Sequence, residues 1–357
     1  MSRLPAQDLA QIVRSTGALW EPLRGGNILI TGATGFFGRW LLESLEALNR
    51  ELGLDLRVIA QSRDPAAFLQ RAPHLGPESG IRWWRSHPSA LTAAALREAT
   101  GAGGLAAIVH LVTEADNAAL VARPDLAEET IVGSTRTALD LARQTGARHL
   151  LFTSSGSVYA AGNGAGPARL PEDHPLVGLS GARDSGHAIG GICKHRAEEL
   201  CVAAAESSGL HATIARCFTF AGPGMPLRGK FALGNFLDDA LHGRDIVIQG
   251  DGQAVRSYLY AADLAVWLWT IMRRGAAGRA YNVGSEAAVT IREAADTVRD
   301  NLAPQAPVRV LGAGGAGATR YVPDTRRARN ELPLCETVAL PEAVRRTASW
   351  LRQYERR

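Results

Sequence analysis

Lysine is almost missing from this chain. Of 39 basic residues only Lys194 and Lys230 are lysine, so 39 − 2 = 37 are arginine. Arginine cannot lose its proton near neutral pH, whereas a lysine can when its surroundings demand it. Cysteine is scarce too. Cys193, Cys201, Cys217 and Cys335 form no C-x-x-C pair. That excludes a disulfide scaffold and predicts a reduced, cytoplasmic protein with no metal site. No stretch of 18 apolar residues exists, so no membrane span is expected. The first eleven residues lack the apolar block of a secretory leader. The charge balance is only 39 − 35 = +4 over 357 residues, with acids and bases interspersed. Local anion sites are expected rather than a nucleic-acid-binding stripe.

What is present is a chain with 46% hydrophobic and 21% charged residues. It can bury a substantial core as one large α/β domain or two smaller ones. Short apolar runs at 27–31, 56–60, 106–111, 149–153 and 211–216 read as strands. Helical patterns follow at 40–48, 130–145 and 191–208, the last two stopped by Gly146 and Gly209. This alternation predicts a doubly wound parallel sheet. Residues 1–25 read as an N-terminal accessory segment with a short amphipathic helix carrying Leu9, Ile12 and Val13. Residues 26–220 read as a Rossmann-type domain. Residues 221–357 read as a smaller substrate-binding α/β region, of which about 244–284 returns to the first domain. Trp267 and Trp269 are expected at packing or interface positions, His110 in a structural one, and 312–318 in a flexible loop.

The first strand runs into Gly32-Ala-Thr34-Gly35-Phe36-Phe37-Gly38 and then a helix. Glycines there permit a tight turn, close approach to a pyrophosphate and close helix packing. The helix N-terminus aims amides at the anion. This predicts a dinucleotide site. The second strand ends in Gln61-Ser62-Arg63-Asp64. Ser62 and Arg63 stand where an acid would select NAD, and a hydroxyl with a guanidinium suits a 2′-phosphate. The reading therefore leans to NADP(H), with NAD left open by Asp64.

These motifs resemble, in order, those of the extended short-chain dehydrogenase/reductases, the sugar-nucleotide epimerases and dehydratases. Beyond the glycine loop, Thr153-Ser-Ser-Gly-Ser-Val-Tyr159 resembles the family's strand-end segment. Gly191-x-x-Lys194 resembles its catalytic helix, Arg216 to Pro223 its Arg-to-Gly-Pro stretch, and Gly250 to Asp263 its second-domain signature. Tyr281-Asn-Val-Gly284 resembles the strand before the last helices. The resemblance implies hydride transfer between a nucleotide-diphosphate sugar and NAD(P), and a homodimer. It implies that Ser155 hydrogen-bonds the reacting sugar oxygen. It implies that Lys194 holds the nicotinamide ribose and tunes a tyrosine four residues earlier.

That earlier position is Gly190, so the phenol implied by the resemblance is absent. His187, Tyr159 and Lys194 itself are candidate acid/bases. Cys193 and His195 flank Lys194 but point away from it on a helix. The resemblance also implies an acid pair at 156–157 in 4,6-dehydratases, where this chain has Gly156 and Ser157. That disfavours dehydration and leaves epimerisation or ketone reduction open. Thr219, Asn235 and Arg256 are candidate substrate ligands, Arg256 for a diphosphate. Lys230 lies in a loop expected to face substrate. The competing readings are a binding protein that has lost catalysis, or an enzyme for a small hydroxy-ketone.

Overall fold

Alternation along the central strands builds the architecture. Successive side chains of a strand face opposite sides of a sheet. In β1 (Asn27–Thr31) every residue is buried. Ile28 and Ile30 join one apolar cluster while Leu29 joins another. Val109 and Ile108 divide in the same way in β4 (Ala107–His110), as do Leu151 and Leu150 in β5 (His149–Ser155). A sheet apolar on both faces must be covered by helices on both.

The computed structural model describes residues 3–100, 104–113, 117–159, 167–179, 185–312 and 319–355. Its main sheet adds β2 (Arg57–Ser62), β3 (Ile81–Arg85), β6 (His211–Cys217) and β11 (Ala280–Val283). The order is β3-β2-β1-β4-β5-β6-β11, and all pairings are parallel. Three two-stranded pairs lie outside it. They join β7 (Phe220–Ala221) to β10 (Leu259–Tyr260), β8 (Ile246–Ile248) to β13 (Val308–Val310), and β9 (Val255–Arg256) to β12 (Val289–Thr290). Chain direction reverses its sense of progression between β1 and β4. In doubly wound sheets that switch point is where a ligand-binding crevice opens.

One face carries the helix α2 (Phe36–Leu52) and the helix Ala261–Arg274. The first helix, α1 (Ala6–Thr16), packs against the latter and buries Leu9, Ile12 and Val13. Trp20 meets Trp269 edge to face at 4.7 Å. The buried Asp8 carboxylate accepts hydrogen bonds from Tyr260 Oη at 2.6 Å and Arg346 Nη1 at 2.7 Å. The first residues are thus stitched to the last helix. Trp267 and Trp269 are both core residues, with Trp269 donating to Ser44 and Trp267 to the Cys335 carbonyl. They pack within the chain, so the interface half of the expectation is replaced by a core role.

The other face carries the long helix Gly186–Ser208, which begins five residues earlier than its sequence pattern suggested. Glycines at 186, 190 and 191 lower helix propensity and mask the start. Ser185 compensates as a cap, its hydroxyl accepting from Ala188 N–H at 3.2 Å. Among the described residues no helix is long and apolar enough to cross a membrane. Residues 313–318 of the expected Gly/Ala loop lie outside the described residues.

Gly38 is the tightest point of the first crossover. A Cβ there would collide with the Ala33 carbonyl, whose carbon is 2.5 Å away. Both partners are backbone, so neither can rotate aside. Gly38→Ala is expected to lower the unfolding free energy by about 1–3 kcal/mol, the usual range for overpacking. Chemical denaturation measures this, and an unchanged midpoint would show that the loop relaxes freely.

Candidate functional site

The glycine loop leaves β1 at the switch point. Gly32 adopts φ 69°, and a Cβ on it would lie 3.1 Å from the Leu111 carbonyl carbon and 3.2 Å from Val112 N. Only glycine combines that left-handed turn with so close an approach. The first intrahelical bond of α2 runs from Arg39 N–H to the Gly35 carbonyl at 3.0 Å. The amides of Phe36, Phe37 and Gly38 precede it and form an anion-binding helix start. Gly35 is exposed, and an added Cβ would meet only the Gly32 carbonyl at 3.5 Å. This donor set fits a pyrophosphate. Phe36 leans on Phe37, which packs edge-on against Phe220 at 5.0 Å.

The loop is tied to β2. Gly32 N–H donates to Gln61 Oε1 at 3.1 Å, and the Thr34 and Ser62 hydroxyls are 2.9 Å apart. Ser62 also accepts from Asp64 N–H at 3.2 Å. The Asp64 carboxylate caps the following helix through Ala67 N–H at 3.1 Å. Arg63 is exposed beside it. The strand end thus exposes the Arg63 guanidinium, while the buried Ser62 hydroxyl is engaged by Thr34 and Asp64 N–H and its one acid by backbone.

Across β4, the long helix presses against the turn after β5. A Cβ at Gly191 would collide with the Ser157 carbonyl. That contact drives Lys194 into the interior, where it is 4% exposed. Its Nζ donates to the Val112 carbonyl at 3.0 Å and the Thr153 carbonyl at 2.8 Å, and lies 4.7 Å from the Phe152 ring centre. Burial pulls its pKa down to about 8, opposed by the negative charge of Glu198. His110 stacks on Phe152 and contacts the hydroxyls of Thr31 and Ser134. Burial, then Lys194, depress its pKa to about 3, which leaves a neutral structural imidazole.

Ser155 ends β5 partly exposed, its Oγ accepting from Ser157 N–H at 3.1 Å. The Tyr321 phenol lies near this hydroxyl, against Gly156. Tyr321 arrives from far along the chain. Its N–H donates to the Val255 carbonyl at 3.0 Å, and the next carbonyl, of Val322, accepts from Leu170 N–H at 2.8 Å. Its ring lies 4.6 Å from Phe218 and meets the His187 ring edge-on at 6.3 Å. Burial holds the phenol's pKa well above the ordinary tyrosine value, and Ser155 and the Arg256 charge offset only part of that rise. His187 is exposed in the first turn of the long helix. Desolvation of its ring, then the cations Arg256 and Lys230, push its pKa below the usual value.

Ser155, Lys194, His187 and Arg256 thus converge on one end of the sheet. The other candidates are committed elsewhere. The Tyr159 hydroxyl donates to Asn282 Oδ1 at 2.6 Å and accepts from Arg216 Nη1 at 3.1 Å. Burial lifts its pKa to about 12. That network occupies the phenol and places Tyr159 in the core beside the site. Thr219 donates to the Ser257 carbonyl, and the Asn235 amide closes its own loop on Gly229. Arg256 Nη1 bonds the carbonyls of Val255 and Thr319, fixing the strand that carries Tyr321. At Gly190 a Cβ would lie in ordinary contact, 3.6 Å from Leu120 Cδ1.

The description of the NAD-dependent epimerase/dehydratase family matches residues 28–284, which span the glycine loop, Ser155 and Lys194. The chain belongs to that family. One curated relative is UDP-glucuronic acid decarboxylase 1 of Arabidopsis thaliana. It is 27% identical over 252 residues, covering 68% of this chain and 54% of the relative. The chain therefore spans about half the length of that relative. Among solved structures, UDP-glucose 4-epimerase of Thermotoga maritima with UDP-glucose aligns at TM-score 0.75 and 20% identity, over 92% of this chain and 99% of that one. The dTDP-glucose 4,6-dehydratase of Bacillus anthracis in complex with NAD aligns at 0.74 and 19%, over 93% and 98%. At these identities the structures establish a shared fold. This epimerase/dehydratase family member differs from its sequence reading chiefly in Tyr321. Nothing near Tyr321 in sequence marks it; the one hint is the small residue at 156 that makes room for it.

Lys194 gives the site a measurable titration. Its folded pKa of about 8 lies below the ordinary 10.5, so between those values the unfolded chain binds the extra proton. Wild-type stability relative to Lys194→Met should rise with pH across that window, by on the order of 1–3 kcal/mol. Urea unfolding of both proteins below and above the window checks it, and a constant difference would place the ammonium in contact with water.

Proposed function

We propose that the protein is an NAD(P)-dependent enzyme acting on a nucleotide-diphosphate sugar by hydride transfer at a sugar carbon. The observation that carries this is mechanical continuity between the two halves of the site. Gly32 touches Leu111 and Val112, and the Val112 carbonyl receives Lys194. A nicotinamide dinucleotide bound there supplies hydride uptake and return. The amides of Phe36 to Gly38 hold its pyrophosphate, and Lys194 keeps its remaining N–H for the nicotinamide ribose. Ser62 and Arg63 favour a 2′-phosphate, which makes NADP(H) the preferred reading and NAD, bound by the Bacillus anthracis neighbour, the alternative.

Ser155 offers its hydroxyl to the reacting sugar oxygen. Arg256 and Lys230 place positive charge on the side where a diphosphate would enter. No carboxylate stands at Gly156 or Ser157, so elimination of water lacks its acid pair. Epimerisation, ketone reduction and decarboxylation of a sugar acid need none. Oxidation at C4 of a glucuronic acid creates a β-keto acid, which releases carbon dioxide readily. The name of the Arabidopsis relative makes UDP-glucuronic acid the first substrate to try. A homodimer in the cytoplasm completes the reading. Gly190 favours one second reading, a protein that binds the nucleotide sugar without turning it over.

Turnover of UDP-glucuronic acid and other nucleotide sugars with each dinucleotide tests the proposal. Ser155→Ala should lower kcat at least about 100-fold, the low end for proton-transfer machinery. Arg63→Ala should weaken NADP about tenfold with little effect on NAD, as expected for one lost charge-assisted bond. Binding of neither dinucleotide would overturn the proposal. Binding without turnover would favour the second reading.

A further inference from the structure

Hydride transfer to or from a carbon bearing oxygen leaves one unmet requirement. A proton must leave the hydroxyl, or reach the carbonyl oxygen, as the hydride moves. Lys194 is poorly placed for this, with two carbonyls closing on its Nζ. Position 190 has no side chain, and Tyr159 is held by Asn282 and Arg216. His187 is exposed and meets the cluster at the edge of the Tyr321 ring, beside the cations Arg256 and Lys230.

We propose that Tyr321 is the acid/base of this site, a phenol delivered by the C-terminal part of the chain to the Ser155 hydroxyl. The inference rests on the nucleotide-sugar reading above and assigns its proton-transfer group. Four observations converge. Tyr321 Oη lies against Gly156, the residue after Ser155, and near enough for Ser155 to act on its titration, so an oxygen that reaches one hydroxyl lies near the other. Its Oη lies 2.5 Å from where a Cβ at position 156 would be, so glycine there keeps room for the phenol. Its ring is clamped between Phe218 and His187, which fixes the hydroxyl's direction. Its backbone is pinned on both sides, to Val255 and to Leu170. A side chain held by that many independent contacts is pre-organised, as proton transfer requires.

The step balances. In the oxidising direction the sugar C–H and O–H bonds break and the carbon–oxygen double bond forms; a bound oxidised nicotinamide would be the hydride acceptor. The O–H proton passes to the Tyr321 oxygen, which, held as a neutral phenol by burial, must first give up its own proton to water. In the reducing direction the neutral phenol gives its proton to the carbonyl oxygen, the hydride being what a bound reduced nicotinamide would supply. The Ser155 hydroxyl bridges the phenol and the substrate oxygen in both.

The test compares wild type with Tyr321→Phe, both loaded with dinucleotide, for affinity and for turnover. The probes are UDP-glucuronic acid and UDP. Melting temperature and dinucleotide retention confirm that the variant folds. Loss of one hydroxyl contact should weaken UDP-glucuronic acid about fivefold and leave UDP within about twofold. kcat on whichever nucleotide sugar the wild type converts should fall at least about 100-fold with a small change in KM. Turnover within about threefold of wild type, or equal affinity of both proteins for UDP-glucuronic acid, would overturn the role of Tyr321. Wild type that binds neither UDP nor a dinucleotide would instead overturn the nucleotide-sugar reading itself.

Discussion

A buried ammonium between two strand-end carbonyls organises this molecule. Lys194 bonds Val112 after β4 and Thr153 in β5, so one side chain joins two neighbouring strands to the long helix. Taking a cation out of water costs several kcal/mol unless its donors are met. Two carbonyls take two of its N–H groups here, with the face of Phe152 beside it. The arrangement requires backbone contacts that only glycine permits. Gly191 lets the helix touch the Ser157 carbonyl, and Gly32 lets the dinucleotide loop touch Leu111 and Val112. The glycine loop, the end of β4 and the helix that carries Lys194 are therefore in direct contact.

A second buried network serves the other side. Glu198 on the long helix holds Arg216 at 2.7 Å, and Arg216 reaches the Tyr159 hydroxyl and the Glu172 carbonyl. Asn282 bonds Tyr159, Leu170 and Asp324. This network fixes the segment around 170 to the segment around 324. Tyr321 lies within the second of these. The same polar core that engages the Tyr159 hydroxyl thus also holds the segment that carries Tyr321.

The two-faced strands, the glycine loop and Lys194 were legible in the sequence, because each leaves a local signature. Alternating burial marks a strand, and a glycine triplet between strand and helix marks a phosphate cradle. The start of the long helix was hidden by its glycines and rescued by the Ser185 cap. Spacing along a chain says nothing about which way a hydroxyl or an amide is bonded, so the partners that Tyr159, Thr219 and Asn235 take were not readable. Tyr321 was illegible altogether. Its place depends on pairings with Val255 and Leu170, at sequence distances of 66 and 151–152 residues, which no local pattern encodes.

The central claim is that a chain with glycine at 190 keeps its proton-transfer chemistry through the Ser155–Tyr321 hydroxyl pair. A crystal structure of the dinucleotide-loaded protein with a bound nucleotide sugar tests it most directly. The account predicts one sugar oxygen within hydrogen-bond distance of both Ser155 Oγ and Tyr321 Oη, with Lys194 still between the Val112 and Thr153 carbonyls. A sugar oxygen that meets His187 or solvent instead, with the Tyr321 hydroxyl turned away, would contradict it.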